Sequence, residues 1–139
     1  MDETQRFLDE MMPLQHAAEL AIHDGDPEPR RALWSHREPV TLLGAALACV
    51  SGPGPVHEAF GQVASWFSDC TGYDIELVAA GASGDLAYTV VFEHSTCSVN
   101  GVPRRYRLRA THVYRREDGQ WRFVHRHADE PPGESDFSG

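Results

Sequence analysis

The sequence predicts an α+β fold, with N-terminal helices packed on one face of a bent antiparallel sheet. Apolar residues recur at helical spacing through the first half of the chain. From Ile75 onward the pattern changes to the alternation of half-buried strands, punctuated by turn residues. Helices followed by a run of strands is the pattern of a fold in which helices cover one sheet face. A bent sheet capped in this way leaves a pocket between sheet and helices.

The elements follow in order. Residues 4–24 read as a helix with Phe7, Met11, Leu14, Ala18, Ala21 and Ile22 on its apolar stripe. Pro13 either kinks it or starts a second helix at its first turn. Gly25 is a stop signal, and Asp26 is a candidate cap for a short helix over 27–35 with Pro27 at its first position. Glu38-Pro39 breaks the chain, and a short strand is expected over 40–43. Gly52-Pro53-Gly54-Pro55 is a turn and not a phosphate loop, because two prolines remove the N–H groups such a loop needs. A third helix is expected over 55–68, with Val56, Ala59, Phe60, Val63, Ala64 and Phe67 inward. Four strands are expected over 75–80, 85–95, 105–116 and 120–128. The domain is expected to span 1–129, with a disordered tail over 130–139 rich in Pro, Gly, Ser and acids.

Composition narrows the function classes. A chain of 139 residues, 41% hydrophobic and 24% charged, suits one globular domain with its own core. No apolar run is long enough for a membrane span. The acidic start, Met1-Asp2-Glu3-Thr4, fits neither a secretory signal nor a transit peptide. Cys49, Cys70 and Cys97 are odd in number and far apart, as expected for reduced thiols in the cytoplasm. A net charge of −9 argues against nucleic acid as partner. All twelve basic residues are arginines, and eight of them lie between Arg104 and Arg126. They either attract an anion or pair with neighbouring acids and keep the sheet soluble; the second reading is the expected one.

The stretch Leu108-Arg-Ala-Thr-His-Val-Tyr-Arg-Arg-Glu-Asp-Gly-Gln-Trp-Arg-Phe-Val-His-Arg-His127 resembles the C-terminal hairpin of SnoaL-like domains, members of the nuclear transport factor 2-like superfamily. Gly25-Asp26 and Gly84-Asp85-Leu86-Ala87-Tyr88 agree with it, and the resemblance covers about residues 4–128. It implies a cone-shaped α+β fold with a hydrophobic pocket and a homodimer. Related domains include ketosteroid isomerase, polyketide cyclases, small dehydratases and the calcium/calmodulin-dependent kinase association domain. The isomerase's catalytic groups do not carry over. Its helix tyrosine falls near Ala18, its aspartate base near Gly44-Ala45, and its protonated aspartate near Ala110 or His112.

His112 and Tyr114 are the candidate catalytic pair. They share a face with Leu108 and Ala110, and imidazole titrates near neutrality. Trp34, Trp66, Tyr88, Phe92 and Arg126 are the candidate ligand-pocket residues, with Tyr88 and Arg126 available to orient or stabilise an oxyanion. Glu93 is expected to pair with Arg107 or Arg109 across strands, with a catalytic carboxylate as the lesser reading. Arg109, Thr111, His125 and His127 are secondary or dimer-face candidates. The turn decides their placement. A two-residue Asp118-Gly119 turn puts His112 opposite His125, so that three histidines cluster. A three-residue Glu117-Asp118-Gly119 turn with a bulge puts His112 beside Val124, with Arg126 on its side and His125 and His127 on the other. The similar hairpin of the kinase association domain favours the bulged form, which is expected here. The outer face would then carry Trp121 and Phe123 and seat a dimer partner.

These readings lead to a pocket enzyme that transfers a proton on an apolar metabolite, as an isomerase, cyclase or dehydratase does. It is expected to need no cofactor and no metal, because HExxH, CxxC and dense acidic motifs are missing. Expected partners are a small molecule and a second copy of the chain, with neither nucleic acid nor membrane. The alternative is a non-catalytic ligand-binding or dimerisation module of the same fold.

Overall fold

The computed structural model describes residues 2–133. Helix α1 runs over Glu3–Ile22, capped by the Asp2 carboxylate, which accepts the Gln5 N–H at 2.7 Å. Pro13 lies inside this helix without dividing it. The inward stripe differs from the apolar reading. Leu14 is 48% exposed, while Gln15 and Glu19 are buried in its stead. Helix α2 spans Glu28–Leu33, and the Asp26 carboxylate accepts the Glu28 N–H ahead of it.

Strands β1 (Thr41–Leu43) and β2 (Val50–Ser51) precede helix α3 (Pro53–Ser65). The expected turn at residues 52–55 is the start of α3. Gly52 takes φ +97°, and Pro53 follows in the first turn, where a missing N–H costs nothing. Strands β3 (Phe67–Ser83), β4 (Leu86–Val99), β5 (Val102–Glu117) and β6 (Gln120–Asp129) follow. β3 begins eight residues before the expected strand, at Phe67 rather than Ile75, because a register shift between Ser68 and Gly72 lets its irregular first part stay paired with β4. β6 ends at Asp129, and residues 134–139 of the expected tail lie outside the described residues.

The six strands are ordered β2-β1-β6-β5-β4-β3. The sheet is mixed, because β1 pairs parallel with β6. The main core lies between the helices and the turn end of the sheet, where Phe7, Met11, Trp34, Phe60 and Tyr114 are all 2% exposed or less.

The β5–β6 hairpin combines the two alternatives. Its turn is the two-residue one: Glu117 pairs with Gln120, and Asp118 and Gly119 take φ +52° and +79°. The bulge comes later. Tyr114 pairs with Phe123 but Val113 with His125, so Val124 is the extra residue. Before the bulge Trp121 and Phe123 face inward. After it His112 stands opposite Arg126, Thr111 opposite His127, and the two strand histidines turn outward. The expected exposed pair, Trp121 and Phe123, is therefore core. Trp121 meets Phe7 edge-on at 5.1 Å, and Phe123 stacks on Trp34 at 5.5 Å.

Candidate functional site

A cavity of about 240 Å³ opens where the end of α1, α3, the loop at 44–47 and strands β5 and β6 meet. Its wall is mostly apolar, with Ile22, Leu42, Leu47, Val63, Trp66 and Leu108. Polar side chains enter it at two levels. Arg30 and Arg126 are buried in its floor and His23 in its wall, whereas Arg104 and Glu130 are exposed at its rim.

Four charged side chains close the floor. The Arg126 guanidinium donates from Nη1 and Nη2 to the two oxygens of Glu93, at 2.8 and 2.7 Å. Arg30 grips Glu19 in the same two-point manner, at 2.8 and 2.5 Å. The two pairs touch, with Arg126 3.9 Å from Glu19. Burial alone would push the Glu93 carboxyl up, but the charge and hydrogen bonds of Arg126 outweigh it and hold it well below the usual range. Burial is likewise outweighed at Glu19, chiefly by Arg30, and its carboxyl is also lowered. Two carboxylates and two guanidiniums thus balance with little exposure to water.

His112 belongs to this network. Its Nε2 faces Arg126 Nη1 at 2.9 Å, and a guanidinium can only donate, so Nε2 accepts and the proton sits on Nδ1. From there one polarity runs outward. Nδ1–H points at Thr89 Oγ1 at 3.4 Å, Thr89 donates to the Tyr114 hydroxyl at 2.9 Å, and Tyr114 donates to Gln15 Oε1 at 2.5 Å. Burial first, and the Arg126 charge second, press the His112 pKa down to about 3. The Gln15 amide is left with no partner for its nitrogen among the described residues.

A second histidine occupies the cavity wall. His23 follows the last turn of α1, and its Nδ1–H donates to the Glu19 carbonyl at 2.6 Å. That bond fixes the tautomer and turns the Nε2 lone pair toward the Tyr106 hydroxyl, 3.1 Å away. Burial lowers the His23 pKa, with the Glu19 charge opposing, so the ring is neutral near pH 7. Burial raises that of Tyr106, so the phenol keeps its proton. A neutral imidazole and a protonated phenol in hydrogen-bond reach can accept and donate a proton at one spot.

The sequence-derived candidates scatter. Arg126 lines the floor, and Trp66 lines the wall. His112 and Tyr114 are 2% and 0% exposed and lie beneath the floor, outside the main cavity. Trp34 is core, packed on Phe60 and Phe123. Tyr88 and Phe92 alternate onto the outer sheet face and do not line the pocket. A Cβ on Gly81 would sit 2.7 Å from the Tyr88 ring, and Phe92 lies under the Arg107 guanidinium at 4.7 Å. Glu93 turns inward to Arg126 instead of outward to Arg107 or Arg109, and Arg109 pairs with Asp129 at 2.7 Å. Thr111, His125 and His127 are on the outer face, with Thr41 and His125 in hydrogen-bond contact at 2.7 Å. His23, Tyr106, Glu19 and Arg30 escaped the sequence reading. The alternation that singles out His112 and Tyr114 also places Tyr106 on their face, and Gln15, Glu19 and His23 recur at four-residue spacing along α1 and its C-cap.

Comparison with known proteins agrees with this architecture. The fold is shared with a candidate calcium/calmodulin-dependent protein kinase type II association domain from Thiobacillus denitrificans ATCC 25259. That likeness has 23% identity, covers 85% of this chain and 92% of that one, and has a TM-score of 0.71. A candidate dehydratase of the NTF2-like family from Streptomyces avermitilis matches at 20% identity over 93% and 99% of the two chains, with a TM-score of 0.71. A candidate ketosteroid isomerase from Parabacteroides distasonis ATCC 8503 matches at 17% identity over 87% and 85%, with a TM-score of 0.66. No curated protein matches the chain. No helix among the described residues is long and apolar enough to cross a membrane. Residues 14–131 match the SnoaL-like domain, and with most of its length inside that match the chain belongs to the SnoaL-like family of the nuclear transport factor 2-like fold.

Proposed function

We propose that this protein binds a small, largely apolar molecule in the 240 Å³ cavity and moves a proton on it without a cofactor, as an isomerase, cyclase or dehydratase does. The observation that carries this reading is the His23–Tyr106 pair at 3.1 Å on an otherwise apolar wall. His23 Nε2 serves as base, and the Tyr106 O–H donates to the oxygen on which charge develops. The similar proteins named as a dehydratase and a ketosteroid isomerase support the same class of chemistry. In this reading His112 and Tyr114, the pair expected from the sequence, are positioning residues: His112 accepts from Arg126 beneath the site, and Tyr114 braces His112 through Thr89.

The test needs no known substrate. Cyclic ketones and β-hydroxy ketones that quench Trp66 fluorescence are incubated with the protein in D₂O, and deuterium uptake is read by mass spectrometry. Wild type exchanges protons with a bound ketone. His23→Gln and Tyr106→Phe melt like wild type and lose at least about 100-fold of the exchange rate. Ligands that bind without exchange would replace this reading with that of a binding module.

We also propose that the chain is a homodimer in the cytoplasm. The outer sheet face supports the dimer: Leu86 and Tyr88 are 58% and 45% exposed, and Val90, Phe92 and Val113 continue the patch half-buried. Sedimentation equilibrium at micromolar concentration should give twice the chain mass, and a clean monomer refutes the dimer. The free thiols Cys49, Cys70 and Cys97 support a reducing compartment.

A further inference from the structure

Three arginines reach the cavity among the described residues, and they differ in how they are held. Arg30 and Arg126 are in the floor, each with 7% of its side chain exposed, and each is gripped at two points by its own buried carboxylate. An anionic ligand could reach either only by displacing Glu19 or Glu93, which would leave a buried negative charge uncompensated. Arg104 stands at the rim with 49% of its side chain exposed. Its ion pair with Glu130 is a single contact, Nη2 to Oε1 at 2.8 Å. Glu130 is itself 54% exposed and lies beyond the end of β6, outside any helix or strand. An exposed pair of this kind contributes little, so its exchange for another carboxylate costs little. The Tyr106 ring lies 5.1 Å beneath the Arg104 guanidinium, a contact over the cavity wall that does not involve Glu130.

We infer that Arg104 is a carboxylate-binding residue at the cavity rim, that Glu130 occupies its place in the free protein, and that the ligand is an apolar carboxylic acid. This rests on the reading of the cavity as a ligand site. The guanidinium fork accepts a carboxylate at two points, whereas Glu130 uses one nitrogen, so an incoming acid has the better geometry available. Leu47, Val63, Trp66 and Phe67 offer the apolar surface for its body. Since Tyr106 lies beneath Arg104 and its hydroxyl meets His23, a carboxylate held there lays the acid along the wall that carries the proposed proton-transfer pair.

The probes are 2-naphthylacetic acid and its amide, which share one apolar body and differ in charge. Binding is measured by titration calorimetry at low salt, with melting curves for every variant. Wild type prefers the acid by roughly fivefold or more, as one partly exposed charge-assisted contact allows. Arg104→Gln binds both probes equally, at the affinity wild type has for the amide. Glu130→Gln binds the acid more tightly than wild type does and leaves the amide unchanged. Equal binding of acid and amide to wild type overturns the inference and leaves the cavity reading standing. So does an acid preference that survives Arg104→Gln, or a weaker acid affinity in Glu130→Gln. Binding of neither probe overturns the inference together with the cavity reading.

Discussion

Replacing Glu93 by glutamine tests the buried network most directly. Glu93 accepts three hydrogen bonds, from Arg126 Nη1 and Nη2 and from the Tyr73 hydroxyl at 2.9 Å, and it is 1% exposed. Glutamine keeps one acceptor oxygen and turns an NH₂ group toward a guanidinium that can only donate. The one carboxylate near Arg126 among the described residues is then Glu19, 3.9 Å away and already gripped by Arg30. Breaking a buried pair from one side costs about 3–5 kcal/mol, and the remaining Glu19 charge places this case near 3 kcal/mol. For a domain of this size that lowers Tm by roughly 10 °C. Urea unfolding followed by circular dichroism at pH 7.5 measures it. The double variant Glu93→Met/Arg126→Met, which removes both charges, should recover part of the loss. A cost under about 1 kcal/mol for Glu93→Gln, the size of an ordinary substitution, would refute the view that this pair is a closed buried unit.

Stability should fall with acid in a way that depends on His112. The folded pKa is pressed to about 3 while the unfolded imidazole titrates near 6.5, so only the unfolded chain takes the proton between these values. The contribution is fully present above about pH 6.5 and declines as pH falls toward the folded value, by up to roughly 1.4 kcal/mol per pH unit. His23 adds to it with the same sign. Urea midpoints from pH 7 to 4.5 should show the decline, and His112→Gln should flatten it; an unchanged slope in that variant refutes the assignment. Gly119→Ala forces a side chain onto φ +79° in the hairpin turn and should cost about 1 kcal/mol, read by the same unfolding assay. Thr89→Val removes the fully buried hydroxyl that joins His112 to Tyr114 and should cost roughly 1–2 kcal/mol, with Thr89→Ser costing less.

Much of the architecture is legible in the sequence because it rests on periodicity. The stripe of Phe7, Met11, Ala18 and Ile22 and the alternation of Leu108 through Tyr114 are set by one segment each, and both face the core. What fails is what depends on two segments together. Val124 shifts the β5–β6 register after Phe123, and no turn signal marks that position, since Phe123 and Val124 are both ordinary strand residues and both end up buried. A single register applied to the whole hairpin therefore had to misplace either Trp121 and Phe123 or His125 and His127. Glu93 was misread for a related reason. Opposite charges on neighbouring strands invite a surface pair with Arg107 or Arg109, but Glu93 pairs with Leu108 in register and its side chain points to the other face, where Arg126 waits.

His112 and His23 differ as candidates for chemistry. Both are buried, both have lowered pKa values, and both are held in one tautomer by a hydrogen bond. They differ in what meets the lone pair. That of His112 is taken by Arg126, a group with no accessible neutral form, so accepting a second proton would break a contact within a four-charge network already in balance. That of His23 meets a phenol 3.1 Å away, whose O–H can rotate to another acceptor. A residue type that titrates near neutrality is therefore an insufficient guide. His112 stands out in the sequence because its strand face is apolar, and that apolar face is the reason it is sealed. His23 sits one residue past Ile22, where the helix ends and the wall of the cavity begins, so its position at the edge of the core leaves its Nε2 facing the Tyr106 hydroxyl and the cavity.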